Sequence, residues 1–244
     1  MISVTAVLTP WYRRAGGREG SDAEQSGSLA PTPILDRESA EVLRLVARAQ
    51  AAAEGPDAIA VLAAAHQIIR DEVRPVYAMN EAIPSSRTLR RGSGSCSQRL
   101  AILESVARTI GVRTRVRALL IDRSFWYPRF PRIGFAVPNR MLLAWPEFSL
   151  EGGWRSASEL FGPIGCRGGG AFANHGAETL FEAVGRCAID WDGRSHDDEY
   201  DLSRFVRADL GYFADRDEAF ARLGQTLTAP ARTLLDPILR RINA

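Results

Sequence analysis

The chain contains no lysine. All 31 of its basic residues are arginine, which removes the ammonium that Schiff-base chemistry, a Walker-type phosphate lysine or a lysine general base would require. Cysteine is scarce as well: Cys96, Cys166 and Cys187 are odd in number and widely spaced. Such a set does not make a disulfide scaffold, and a reducing cytoplasm is the expected compartment. No apolar run approaches the ~20 residues of a membrane span. The apolar stretch Met1–Pro10 lacks the basic region and cleavage site expected of a secretory leader. Charge of one sign is also missing. The net charge is +2, without a basic or acidic run, so neither nucleic acid nor a lipid surface is an expected partner. Gly-x-x-x-x-Gly-Lys-Ser/Thr, His-Glu-x-x-His and Cys-x-x-Cys are all absent, so no cofactor and no metal are expected.

What is present is an ordinary globular composition. With 244 residues, 45% hydrophobic and 25% charged, the chain has enough apolar mass for a substantial core. Residues 13–33 are rich in Gly, Ser and charge without apolar period, so 1–33 reads as an N-terminal segment with a flexible loop. Residues 34–244 read as a single domain with a helical C-terminal extension. From Asp36 onward Val42, Leu43, Val46, Ala49 and Ala53 keep helical spacing as far as Gly55-Pro56. Asp57 is a candidate cap for a second helix carrying Ala58, Leu62, Ala65, Ile69 and Val73, with Pro75 ending it. Residues 75–95 show turn chemistry and no period. A third helix begins at Cys96, buries Leu100, Leu103, Val106, Ala107 and Ile110, and meets Gly111 where a C-cap glycine belongs. Residues 112–121 then alternate as a half-buried strand with Arg113, Arg115 and Arg117 on the wetter face. Strands are expected at 133–137 and 141–148, joined by Pro138-Asn139 as a hairpin. Helices are expected at 177–187, 217–223 and 229–242, with an acidic loop at 191–201. Helices, then strands, then helices define an α+β fold.

Cys96 is the first candidate for chemistry. A thiol in the first turn of a helix faces unpaired N–H groups and the positive end of the dipole, which favours thiolate, and the glycines before it allow close backbone approach. The alternative is a small buried hydrophobe. The stretch from Gly92-Ser93-Gly94-Ser95-Cys96 through Arg108-Thr109-Ile110-Gly111-Val112-Arg113-Thr114-Arg115-Val116 resembles the nucleophile helix of the transglutaminase-like superfamily, which shows a glycine-rich turn, the cysteine, an apolar helix ending in Arg-x-x-Gly-Ile-Pro-x-Arg, and a strand. The helical lead-in, Asp36–Ala53 and Ala58–Arg74, is similar too. Leu143-Ala144-Trp145-Pro146-Glu147-Phe148 followed by Gly153-Trp154 resembles the family's His-Ala-Trp-x-Glu-Val and Gly-Trp hairpin. The resemblance spans about residues 34–160. It implies a papain-like core: a central helix carrying the cysteine, packed on an antiparallel sheet that supplies a histidine and an aspartate, with acyl transfer through a thioester.

Here the chain departs from the pattern. Leu143 occupies the histidine position and Ser158, four residues after Trp154, the aspartate position. Leucine moves no proton, so the ordinary triad is absent. Of the histidines, His66 lies among alanines in a helix and reads as a packing or surface residue. His196 lies beside Asp197 and Asp198, and His175 in the glycine-rich loop 168–176, from which it is the expected catalytic substitute. Ser95, Trp126, Trp145 and Glu147 are the expected substrate contacts. Glu147 is either a base or an arginine's ion-pair partner, and Trp126, in the cluster Phe125-Trp126-Tyr127, either lines a pocket or packs a loop. Two functions follow. One is a cysteine-dependent acyl-transfer, amide- or thioester-hydrolysing enzyme acting on a small-molecule or peptide substrate. The other is a catalytically silent relative that binds a peptide or partner protein.

Overall fold

The computed structural model describes residues 26–130, 137–195 and 197–227. Within them six α-helices surround an antiparallel four-stranded sheet. The first helix, α1 (Ala40–Ala52), starts where the Ser39 hydroxyl accepts the Val42 N–H, and it buries Val42, Leu45, Val46 and Ala49. Leu43, one of the residues in the expected stripe, is exposed. α2 (Ala58–Glu72) is capped by Asp57, whose carboxylate accepts the Ala60 N–H at 2.9 Å. It packs Val61, Leu62, Ala65, His66 and Ile69 inward.

The segment without apolar period holds structure of its own. Two short parallel strands, β1 (Arg74–Pro75) and β2 (Ser93–Gly94), pair across a seven-residue helix, α3 (Ser85–Arg91). α3 buries Ser85, Ser86 and Thr88 rather than apolar side chains; the Ser85 and Ser105 hydroxyls share a 2.8 Å hydrogen bond. Hydrophobic periodicity has nothing to register in such a helix.

α4 (Cys96–Thr109) is the central element, buried along one continuous run from Gln98 to Arg108. Ile110 caps it and Gly111 turns the chain out at φ +87°, a left-handed conformation that glycine adopts without steric cost. The chain then enters β3 (Thr114–Asp122), which pairs antiparallel with β4 (Arg140–Leu150), Ala118 opposite Ala144. The two-residue turn Glu151-Gly152, both at positive φ, carries β4 into β5 (Gly153–Ser156). α5 (Leu180–Gly185) follows, and β6 (Val206–Phe213) returns to the other edge of β3 before α6 (Arg216–Leu223). The sheet order is β5-β4-β3-β6.

Period two divides the sheet between two clusters. Leu119, Ile121, Leu143 and Trp145 join the large core made with α1, α2, α4 and α5. Val116, Ala118, Leu142 and Ala144 face a smaller one with Ile34, Leu35, Phe213 and α6. Alternation of β3 holds only through Ala118; Leu119, Leu120 and Ile121 are all buried because both faces are covered there.

The structure differs from the sequence expectations in the helix at 177–187 and in β6, and other expectations fall on residues outside the described part. β4 pairs with β3 along its length and with β5 over Glu147–Leu150; residues 133–136 of the expected hairpin lie outside the described part, and Val137 is not in a strand. The helix expected over 177–187 is confined to Leu180–Gly185. β6 was not expected at all. The helix expected at 229–242 lies outside the described residues, as does His196. Among the described residues no helix is long and apolar enough to cross a membrane.

Candidate functional site around Cys96

Cys96 is the first residue of α4, and its position is set by a reciprocal cap. The Ser95 hydroxyl accepts the Gln98 N–H and the Gln98 side chain accepts the Ser95 N–H, each at 3.2 Å. Gln98 also donates to the Asn80 carbonyl at 2.7 Å. The β1–β2 pairing continues this tie. Val76 N–H donates to the Gly94 carbonyl at 3.1 Å, which lays the chain from Val76 onward beside the turn that presents the thiol.

The half-buried Cys96 opens on a cavity of about 110 Å³. Tyr77, Met79 and Glu81 form one wall, Met141, Leu142 and Leu143 of β4 another, and Trp126, Arg129, Asn174 and Leu180 close it. Glu81 is anchored close to the cap: its N–H donates to Gln225 Oε1 at 2.8 Å, and its carboxylate accepts from Ser95 Oγ at 3.5 Å. Arg129 is held as a fixed cation. It donates from Nε to Asn174 Oδ1 at 3.1 Å, from a terminal nitrogen to the Gly176 carbonyl at 3.2 Å and the Tyr77 hydroxyl at 3.5 Å, and to the Glu178 carbonyl. Asn174 is positioned in turn by a 2.6 Å bond to the Phe125 carbonyl. Burial pushes the Tyr77 phenol above its usual range; Arg129 works against that rise and the Cys96 sulfur adds to it.

The residues expected from sequence divide between this cavity and other places. Cys96, Ser95 and Trp126 line it, and so does Leu143, the residue at the resemblance's histidine position. His175 does not; it is exposed, next to Asn174 in sequence. Trp145 is 1% exposed and donates its indole N–H to Ser156 Oγ at 2.8 Å, its ring set edge-on to Trp191. Glu147 is engaged by Arg115, which reaches Oε2 from two nitrogens at 2.8 and 2.7 Å; of the two alternatives for this carboxylate, the ion pair is the one in place. Ser158 lines a separate, larger cavity of about 600 Å³ with Arg117, Glu159, Asp190 and Trp191. His66 is a core residue: its Nε2–H donates to the Phe181 carbonyl at 2.7 Å, and its ring stacks on Phe181 at 4.3 Å. Burial brings it down to about 4, so it is neutral at pH 7.

Glu81, Tyr77, Arg129 and Asn174 were not singled out from sequence. The two-residue β1–β2 pairing that brings Tyr77 and Glu81 to Cys96 is too short to leave a pattern. Arg129 arrives through the 3₁₀ turn Arg123–Trp126 that follows β3. The nearest legible signal was the adjacent aromatic cluster.

Charged groups buried behind the cavity fix α4. Arg216 donates from Nε to Glu104 at 2.5 Å and from a terminal nitrogen to Ser97 Oγ at 2.8 Å, linking α6 to the cavity wall. Arg99 pairs with Glu182 at 2.5 Å and lies over the Phe181 ring. Among the described residues no group of three or more His, Cys, Asp or Glu side chains is placed to hold a metal ion. No family model, no curated protein and no solved structure matches this chain.

Proposed function

We propose that this protein is a cysteine-dependent enzyme of transglutaminase-like fold that transfers an acyl group or hydrolyses an amide or thioester, with Cys96 as nucleophile and a non-standard set of partners. The observation that carries this reading is the sharing of one cavity by a helix-initial thiol, a carboxylate, a phenol and a fixed guanidinium. In the proposed mechanism Glu81 accepts the thiol proton and the sulfur attacks the substrate carbonyl. Charge on the carbonyl oxygen is met by the N–H groups of Cys96 and Ser97 at the start of α4, ahead of the Gln98 and Arg99 N–H groups that Ser95 engages, and by Arg129. Collapse breaks the bond to the leaving amine or thiol, which takes the proton back from Glu81. Water or an amine then releases the acyl group from Cys96. The apolar walls, Met79, Met141, Leu142, Leu143 and Leu180, suit a small apolar acyl portion.

A silent relative that binds a partner is the second reading, and Leu143 in the cavity wall favours it. Short-chain acyl thioesters and p-nitrophenyl esters separate the two. The enzyme reading expects an acyl adduct mapped to Cys96 by mass spectrometry, with loss of the adduct in Cys96→Ser. Acylation of Cys166 alone, or none above background, supports the binding reading instead.

A further inference from the structure

The remaining two cysteines are far apart in sequence but meet in space. Gly165, next to Cys166, donates its N–H to the Cys187 carbonyl at 2.8 Å, which joins the 163–166 turn to the end of α5. Cys187 adopts φ +53°, unusual for a residue with a Cβ. Both thiols converge on Gly162: a Cβ placed there would lie 2.6 Å from Cys166 Sγ and 3.9 Å from Cys187 Sγ. One sulfur is on an exposed residue and the other on a buried one.

We propose that Cys166 and Cys187 form a peroxide-responsive dithiol, a modification site separate from Cys96, in which exposed Cys166 is oxidised first and buried Cys187 resolves it. The Cys166 thiolate attacks one oxygen of hydrogen peroxide and the O–O bond breaks. The departing hydroxide takes up a proton as water, and Cys166 is left as sulfenic acid. The Cys187 sulfur then forms the S–S bond as the sulfenic oxygen leaves, carrying the Cys187 proton, as a second water. Two thiols are oxidised to a disulfide while one peroxide is reduced to two waters. Burial and the adjacent Cys166 thiol push the Cys187 thiol up to about 12, against the pull of Arg167. Burial thus keeps Cys187 from meeting peroxide first, and its proton leaves only as the S–S bond forms. The disulfide would tie the turn carrying Pro163, Ile164 and Gly165, which walls the larger cavity, to the end of the helix that begins beside the Cys96 cavity.

The test uses the full chain with Cys96→Ser, so that only these two thiols can respond, under limiting hydrogen peroxide. The expected result is a loss of about 2 Da, a linked peptide pair containing Cys166 and Cys187, and restoration of both thiols by dithiothreitol. In Cys166→Ser, a change at an exposed position, Cys187 should stay reduced at the same peroxide dose. Stepwise addition of oxygen to Cys166 with Cys187 still free, or a dimer linked through Cys166, would overturn the proposal.

Discussion

At the residue scale, the contrast between Leu143 and Glu81 defines the candidate site. β4 brings an apolar side chain, Leu143, to the Cys96 cavity, and a carboxylate reaches it from the segment after β1. Cys96, Ser95, Trp126 and Leu143 were legible because each belongs to a local pattern: a glycine-rich turn, a cap, an aromatic cluster, a strand period. Glu81 and Arg129 belong to none, and only tertiary pairing places them. Two predictions follow from this placement. Leu143→His puts an imidazole on the cavity wall, and a neighbouring imidazolium favours thiolate. Iodoacetamide labelling of Cys96 at pH 7 should therefore rise about tenfold over the wild type, followed by peptide mass spectrometry; an unchanged rate would mean that position 143 does not address the sulfur. Glu81→Gln keeps the side chain's shape and removes the base, so acylation of Cys96 by a thioester should slow by about 10²-fold. A rate equal to wild type would remove Glu81 from the mechanism.

At the element scale, what the sequence revealed tracks what each element buries. α1, α2, the first half of β3 and α6 were legible because they put apolar residues inward at a fixed period. α4 and β4, buried continuously over Gln98–Arg108 and Leu142–Phe148, were legible from their apolar content and flanking turns. α3 buries hydroxyls, and β6 is an edge strand that is half-buried through most of its length, so neither carries a strong pattern. α4 departs from pattern in another way, since Arg99, Glu104 and Arg108 are fully buried in it. Arg108 is satisfied by the Thr114 hydroxyl at 2.7 Å and by the carbonyls of Ala30 at 2.7 Å and Ala214 at 2.9 Å. Glu104 depends on Arg216, itself 1% exposed. Removing one member of such a pair leaves the other charge buried and unpaired. Glu104→Ala should cost about 3–5 kcal/mol in urea unfolding, whereas Glu104→Leu with Arg216→Met should cost markedly less. Equal losses in the single and double variants would show that the pair's charges are not coupled.

At the scale of the whole molecule, α2 and α5 are joined by a buried polar contact beside the Arg99–Glu182 pair, and this contact makes stability depend on pH. His66 is 5% exposed, bonded to the Phe181 carbonyl and stacked on its ring. A Cβ on Gly185 would approach His66 Cε1 to 2.7 Å, so the helix end leaves no room for the ring to swing away. Burial is the main cause that brings His66 from 6.5 down to about 4 in the folded chain, outweighing the upward pull of the Phe181 carbonyl. Between those values the unfolded chain binds a proton that the native chain does not, so stability rises with pH. The contribution of neutral His66 is fully present above pH 6.5 and is lost as pH falls towards 4. The size of the loss is about 3 kcal/mol. Burial pushes half-buried Glu182 up, but Arg99 and Thr179 outweigh that push and lower its folded value, so its contribution is lost at lower pH. His66→Gln retains an N–H for the Phe181 carbonyl and cannot titrate. Urea unfolding at intervals from pH 7.5 to pH 4 should show wild-type stability falling more steeply than that of His66→Gln below about pH 6.5, the gap widening until pH 4. Parallel curves across that window would mean that His66 takes up its proton in the folded protein as readily as in the unfolded one, and that the α2–α5 junction admits the charge.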